Sequence, residues 1–145
     1  ELKCSLMPYI FAKAVEANRY GVPVMRAMAL EFEKDLNALR LDTQYMLGES
    51  ILVAPVFKEN GNVDYYLPEG KWTHLLTNET RGGGKWYNDT YDFFSLPLYV
   101  RENTILPIGK ERTRPDYDYT DGIELHIIEL NNKAEATVYG TDTKI

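Results

Sequence analysis

The spacing of apolar positions changes near residue 50. Over the N-terminal stretch, Leu2, Leu6, Tyr9, Ile10, Ala14 and Ala17 recur at helical spacing. Pro8 interrupts that pattern, so the helix kinks there or begins near it. Gly21 follows Tyr20 and suits a left-handed cap at the helix end. Val22 to Leu30, VPVMRAMAL, is a mostly apolar run, which predicts a strand buried on both faces, as in parallel sheets. Asp35 predicts the cap of a short helix carrying Leu36, Leu39, Thr43 and Met46 on one side. Helix, buried strand and helix together are α/β grammar.

From Ser50 onward, short runs rich in Val, Ile, Tyr and Thr alternate with turn residues. They predict strands near 50–57, 62–67, 71–76, 92–95, 97–101, 104–108, 123–130 and 134–139. Asn60-Gly61-Asn62 is a hairpin signal and Gly82-Gly83-Gly84 a flexible loop tip. The polar stretch KERTRPDYDYTDG, 110–122, reads as a linker or boundary. This is the pattern of an antiparallel β-sandwich. A lone parallel strand needs neighbours on both edges and layers on both faces. The first 48 residues are therefore expected to be the end of an α/β domain. The stretch Glu1-Leu2-Lys3-Cys4-Ser5 lacks an initiator Met, a basic start and a cleavage site, which fits a piece cut from something longer.

Composition narrows the function classes. The 145 residues are 44% hydrophobic and 26% charged, enough for a packed core. A net charge of −6, with Lys and Arg scattered, argues against a nucleic-acid partner. No stretch approaches the roughly 18 to 20 apolar residues of a membrane span. Cys4 is the single cysteine, so no internal disulfide forms, and a cytoplasmic location is expected.

Four blocks, in order along the chain, resemble the C-terminal part of glycoside hydrolase family 31. They are LMPYIFAKAVEANRYGVPVMRAMALEF, DTQYMLGESILVAPVF, YYLPEGKWTHL and SLPLYVRENTILPIG. The resemblance covers about residues 1 to 122, and the tail after GGKWY and the RPDYDY segment look most like the α-xylosidase branch. It implies a mixed fold that is mainly β in this chain, the C-terminal piece of a (β/α)8 barrel followed by an antiparallel β-sandwich. VPVMRAMAL would be the last barrel strand, QYML would sit on the closing helix, and SILVAPV would open the sandwich. The implied domains are 1–48 as the end of the barrel, 49–115 as the proximal β-sandwich, and 116–145 as linker and start of a distal β domain.

The resemblance also implies an activity, hydrolysis of terminal α-linked xylose with retention. Such chemistry needs two carboxyl groups about 5 Å apart, with unequal pKa values. In the family both are aspartates on earlier barrel strands, and no Asp here matches either motif. No catalytic residue is assigned, the isolated chain is expected to be inactive, and no cofactor is implied. The partner would be a carbohydrate substrate, and a homo-oligomer of the parent fits the same reading.

Two residues are candidates for substrate contact. Arg26 lies inside the apolar run between Met25 and Ala27, so it must be paired or reach a polar cavity. Pairing with a carboxylate of the barrel wall is the preferred reading. Glu31 lies just past the end of that run, on what would be the catalytic face of a barrel. It would touch substrate or support a loop, with support preferred.

The aromatics carry a blander explanation. Trp72, His74 and Leu76 share a face by alternation, which suits a sandwich core. Trp86 follows a Gly-rich loop and is the more plausible exposed aromatic, though large aromatics usually serve burial rather than sugar stacking. His126 alternates with Leu125 and Ile127 and is expected on the polar face. His74 and His126 have no partners at zinc-ligand spacing. There is no Gly-x-Ser-x-Gly elbow or phosphate loop. Two other readings stand beside the enzyme fragment: an α-glucosidase of the same family, and a non-catalytic carbohydrate-binding or interaction β-sandwich.

Overall fold

The computed structural model describes residues 1–140. The chain forms two compact units, Met25–Glu102, and Glu1–Val24 with the chain from Asn103 onward. Antiparallel sheets dominate, in keeping with the mainly β class.

In the unit Met25–Glu102, the elements are β1 (Met25–Ala27), α3 (Met28–Glu31), a short 3-10 turn (Ala38–Arg40), β2 (Tyr45–Leu47), β3 (Ile51–Val53), β4 (Asn62–Leu67), β5 (Lys71–His74), β6 (Thr80–Gly82), β7 (Lys85–Thr90) and β8 (Leu98–Arg101). Six strands form one sheet in the order β1-β2-β3-β8-β5-β6, while β4 and β7 form a separate ribbon. Every pairing is antiparallel. The core forms where the two layers meet. Met46, Leu52, Trp72 and Tyr99 come from the sheet, Val63, Tyr65 and Leu67 from the ribbon. Alternation explains the ribbon: 63, 65 and 67 turn inward, while 62, 64 and 66 occupy the other face. Trp72, 1% exposed, donates its indole N–H to the Pro68 carbonyl at 2.7 Å, which satisfies the one polar atom that its burial would strand.

A buried polar network lies on the inner face of the ribbon. The Tyr65 hydroxyl donates to Asp89 Oδ2 at 2.6 Å and lies 3.0 Å from the Tyr99 hydroxyl. Arg81 Nη1 donates to the Tyr65 oxygen at 2.7 Å and also to Asp89, and its guanidinium stacks over Tyr87. Burial first, then the bond to Asp89, pushes the Tyr65 phenol far above its ordinary pKa.

Several expected elements differ. The run 22–30 is not a long parallel strand: only Met25–Ala27 forms a strand, and it pairs antiparallel with β2 at the sheet edge. Arg26 and Met28 are buried while Met25 and Leu30 are exposed, so one face is covered, not both. The expected helix after Asp35 shrinks to the 3-10 turn, and QYML enters the sheet as β2 instead of a helix. Leu36 and Leu39 have no apolar face to meet and stay exposed. No strand forms at 92–95, where Asp92 and Ser95 close a turn. The strands β6 and β7 went unpredicted.

The glycines between β6 and β7 are tied down by backbone hydrogen bonds and do not form a loose tip. Gly83 N–H donates to the Gly70 carbonyl and Gly84 N–H to the Leu67 carbonyl. A Cβ at Gly83 would run into the Pro68 carbonyl. Asn60-Gly61 does turn the chain, with Gly61 at φ +76, but it links β3 to β4 in different sheets and makes no hairpin.

In the other unit, α1 (Leu2–Ser5) and α2 (Met7–Tyr20) are followed, after Asn103, by β9 (Thr104–Ile108) and β10 (Glu124–Ile128). Pro8 sits in the first turn of α2, where its missing N–H costs nothing, and Gly21 caps the helix at φ +73. The stretch 110–122 is not a free linker. Tyr119 packs its ring on Phe11 at 5.3 Å, Tyr117 meets Tyr119 edge-on, and the Tyr117 hydroxyl donates to the Cys4 carbonyl at 2.7 Å. β10 pairs with β9, and His126 is exposed as expected. No strand forms at 134–139, and the remainder of the expected distal β segment, 141–145, lies outside the described residues.

Candidate functional site

The segment after β1 builds one wall of an open cleft in the unit Met25–Glu102. Its volume is about 860 Å³, and Glu31, Phe32, Asp35, Tyr66, Glu69 and Arg101 are among its lining residues. Ala27 is extended and Met28 begins α3, so the chain reverses within one turn and brings Glu31 back beside Arg26.

The two sequence candidates therefore meet each other. Arg26, 4% exposed, donates Nη1 to Glu31 Oε1 at 2.6 Å, and its Nη2 lies 3.8 Å from Glu49 Oε2. A guanidinium buried to this degree requires such carboxylates. Glu31 is among the residues lining the cleft, and its carboxylate holds Arg26. Both candidates are placed at one point, and both belong to one ion pair.

Tyr66 and Phe32 supply the aromatic part of the lining. The Tyr66 hydroxyl donates to Asp35 Oδ2 at 2.8 Å, while Asp35 Oδ1 accepts the Asn37 N–H at 3.0 Å. Burial first, then that bond to Asp35, raises the Tyr66 phenol above its ordinary pKa. Gln44 clamps the Tyr66 backbone, donating to its carbonyl and accepting its N–H, each at 2.8 Å. Phe32 tilts against Trp72 at 6.2 Å, and the Arg101 guanidinium lies 5.4 Å over the Phe32 ring. The sequence does not mark Asp35 as a cleft residue, because its type and position suit a helix cap equally well. Nor does it mark Tyr66, Gln44 or Arg101, since only pairing across the sheets brings them to this place. The alternation of Tyr65 and Tyr66 was the one available signal.

Glu31 and Asp35 are each engaged as hydrogen-bond acceptors. The cleft offers carboxylates and aromatic faces that can accept and cradle hydroxyl groups. Among the described residues, no cluster of three or more His, Cys, Asp or Glu side chains could hold a metal ion.

His74 is 2% exposed. Its Nε2 lies 3.1 Å from the Leu96 carbonyl, and Nδ1 accepts the Leu76 N–H at 3.2 Å, which fixes a neutral ring. Burial pulls its pKa below the usual value. Trp72 and His74 are buried as their alternation suggested, but Leu76 is 41% exposed. Trp86 is 52% exposed.

Comparison with known proteins places the chain. Residues 21–106 match the profile described as Glycosyl hydrolase family 31 C-terminal domain. The chain is 41% identical to the α-xylosidase XylQ of Lactiplantibacillus pentosus over 134 residues, 90% of this chain and 18% of that protein. It is 40% identical to an α-xylosidase of Emericella nidulans over 85% of the chain and 17% of the relative. An α-glucosidase of Saccharolobus solfataricus is 34% identical over 74% of the chain and 15% of that protein. Among solved structures, a GH31 α-xylosidase from a soil metagenome, complexed with xylose, superposes with a TM-score of 0.66 at 34% identity, over 70% of this chain and 15% of that one. The chain thus spans less than a fifth of the length of these relatives.

Proposed function

This chain belongs to glycosyl hydrolase family 31, and we propose from that premise that its parent releases terminal α-linked xylose from oligosaccharides with retention of configuration. The observation that carries the reading is the pair of α-xylosidases matched at 41% and 40% identity over most of the chain. An α-glucosidase of the same family is the alternative, favoured by the 34% match to such an enzyme.

In this reading, residues 1–48 end the catalytic barrel, 49–115 form the proximal β-sandwich, and 116–145 lead into a distal β domain. That division concerns the parent, whereas the compact units group segments by contacts within this chain. The nucleophile and the acid–base carboxyl come from the parent's barrel, about 5 Å apart across the scissile bond. Residues of this chain brace that barrel. Arg26 and Glu31 lock the turn after β1, so that the wall carrying Phe32 and Asp35 keeps its shape. The partner is a carbohydrate, the setting cytoplasmic, and neither cofactor, nucleic acid nor membrane is involved. Association of parent copies is compatible with it.

The test is kcat/KM of the complete parent on paired aryl α-xyloside and α-glucoside, with the 145-residue chain assayed alongside. We expect the xyloside to be favoured, about 10- to 200-fold, the range one small group at C5 allows. The chain alone should show no turnover. A ratio favouring glucoside removes the xylosidase assignment. Turnover by the chain, abolished by substituting one of its own residues, removes the bracing role.

A further inference from the structure

The ribbon of β4 and β7 has an outer face that the core does not use. Register puts Asn62 opposite Thr90, Asp64 opposite Asn88 and Tyr66 opposite Trp86 on that side. Trp86 leaves 52% of its surface in solvent, a poor use of a large aromatic if burial were its role. It is nonetheless held. The Tyr66 ring lies 5.5 Å from it, and Tyr66 is itself buried and fixed by Gln44 and Asp35. An exposed indole on a buried, hydrogen-bonded support is a rigid apolar platform.

One pleat along, about 6.8 Å away, the face becomes a polar ladder. Asn88 Nδ2 donates to Asp64 Oδ1 and to Asn62 Oδ1, and Asn62 Nδ2 donates back to Asn88 Oδ1 at 3.0 Å. Lys58 Nζ reaches Asp64 Oδ2 and Asn62 Oδ1, each at 3.3 Å. These bonds hold the amide and carboxylate groups in place, while their oxygens keep lone pairs for further donors. The Asn88 amide, and then Lys58, hold the Asp64 carboxyl below its ordinary range, so it remains an acceptor.

A pyranose ring has the matching chemistry: an apolar C–H face to lie on the indole and a rim of hydroxyls to meet the ladder. Lys58 pairs with Asp64 at 3.3 Å, so the one carboxylate of the ladder has a cation beside it. We propose that the outer face of the β4–β7 ribbon binds a neutral oligosaccharide, with Trp86 as the stacking platform and Asp64 and Asn88 as its hydrogen-bonding edge. The site would hold a polymeric or branched substrate against the protein. It rests on the function proposed above only for the choice of sugars to try.

The experiment is affinity electrophoresis of the full 145-residue chain through gels containing xyloglucan or dextran, with tryptophan fluorescence titration by their oligosaccharides. The chain should be retarded in at least one gel. Trp86→Ala should weaken binding about tenfold or more, and Trp86→Phe should restore part of it. Asn88→Ala should weaken it by roughly three- to tenfold. Melting curves check that each variant is folded. Should Trp86→Ala not fold, Asn88→Ala and Asp64→Asn decide, because those side chains are exposed. No retardation in either gel, or equal retardation of wild type and the folded platform or edge variants, overturns the proposal. Aryl α-xyloside hydrolysis by the complete parent is read separately. Its failure counts against the enzymatic reading, and retardation still decides the surface site.

Discussion

Replacing Tyr65 with Phe tests the polar network between the ribbon and the sheet. The ring stays and one oxygen leaves, so little cavity is made and the change is one of hydrogen bonding. That oxygen donates to Asp89, accepts from Arg81 and pairs with the Tyr99 hydroxyl. Bonds to charged partners are worth about 1.5–3 kcal/mol net and neutral ones about 0.5–1.5. Arg81 and Asp89 still have each other, and both are partly exposed, which reduces the loss. The expected cost is thus about 2–3 kcal/mol, from one charge-assisted bond and one neutral bond. Tyr99→Phe removes the neutral bond to Tyr65 and no bond to a charged partner, for about 0.5–1.5 kcal/mol. At roughly 2–4 °C per kcal/mol for a chain of this size, Tyr65→Phe should lower Tm by about 4–12 °C, clearly more than Tyr99→Phe. Thermal and urea unfolding, with m-values compared, provide the measurement. A Tyr65→Phe loss below about 0.5 kcal/mol, or one no larger than that of Tyr99→Phe, refutes the network as a source of stability. The same residue has an alkaline signature. Its folded pKa is raised above the ordinary value of 10.0, so above pH 10 the unfolded chain holds fewer protons than the folded one. The stability is fully present below pH 10 and declines as pH rises beyond it. Tyr65→Phe should flatten that decline.

Two further outcomes follow from the same unit. The His74 pKa is lowered from 6.5, so below that pH the unfolded state binds more protons, and stability should fall as pH drops through it; urea midpoints from pH 8 to pH 5 should show a fall that His74→Gln reduces, and identical profiles for both proteins would discard His74 as the cause. Gly83→Ala should destabilise by at least about 1–3 kcal/mol, the usual scale of overpacking, since its methyl would displace the Pro68 carbonyl; an unchanged Tm would mean the β6–β7 connection is loosely packed.

Local patterns in the sequence carried much of this protein. β4 and β9 lie where alternation placed them, at 62–67 and 104–108, because a half-buried strand writes its period of two into the chain. The helix ending at Gly21 was equally legible, because its cap is a local property of glycine. The four family blocks, 1 to 122, were legible as a pattern of residues. Tertiary structure decided the rest. A short apolar run such as VPVMRAMAL does not state how many faces or edges it will cover, and its neighbour β2 made it an antiparallel edge. β7 hid behind Lys85, Asn88 and Asp89, residues of weak β propensity, and exists because β4 supplies a six-residue ladder. Arg26 announced a need for a carboxylate, since a buried guanidinium cannot go unpaired, but which acid answered depended on the turn through α3. The cleft and the Trp86 face were illegible for the same reason: each joins residues far apart in the chain, and only strand pairing and layer packing bring such residues together.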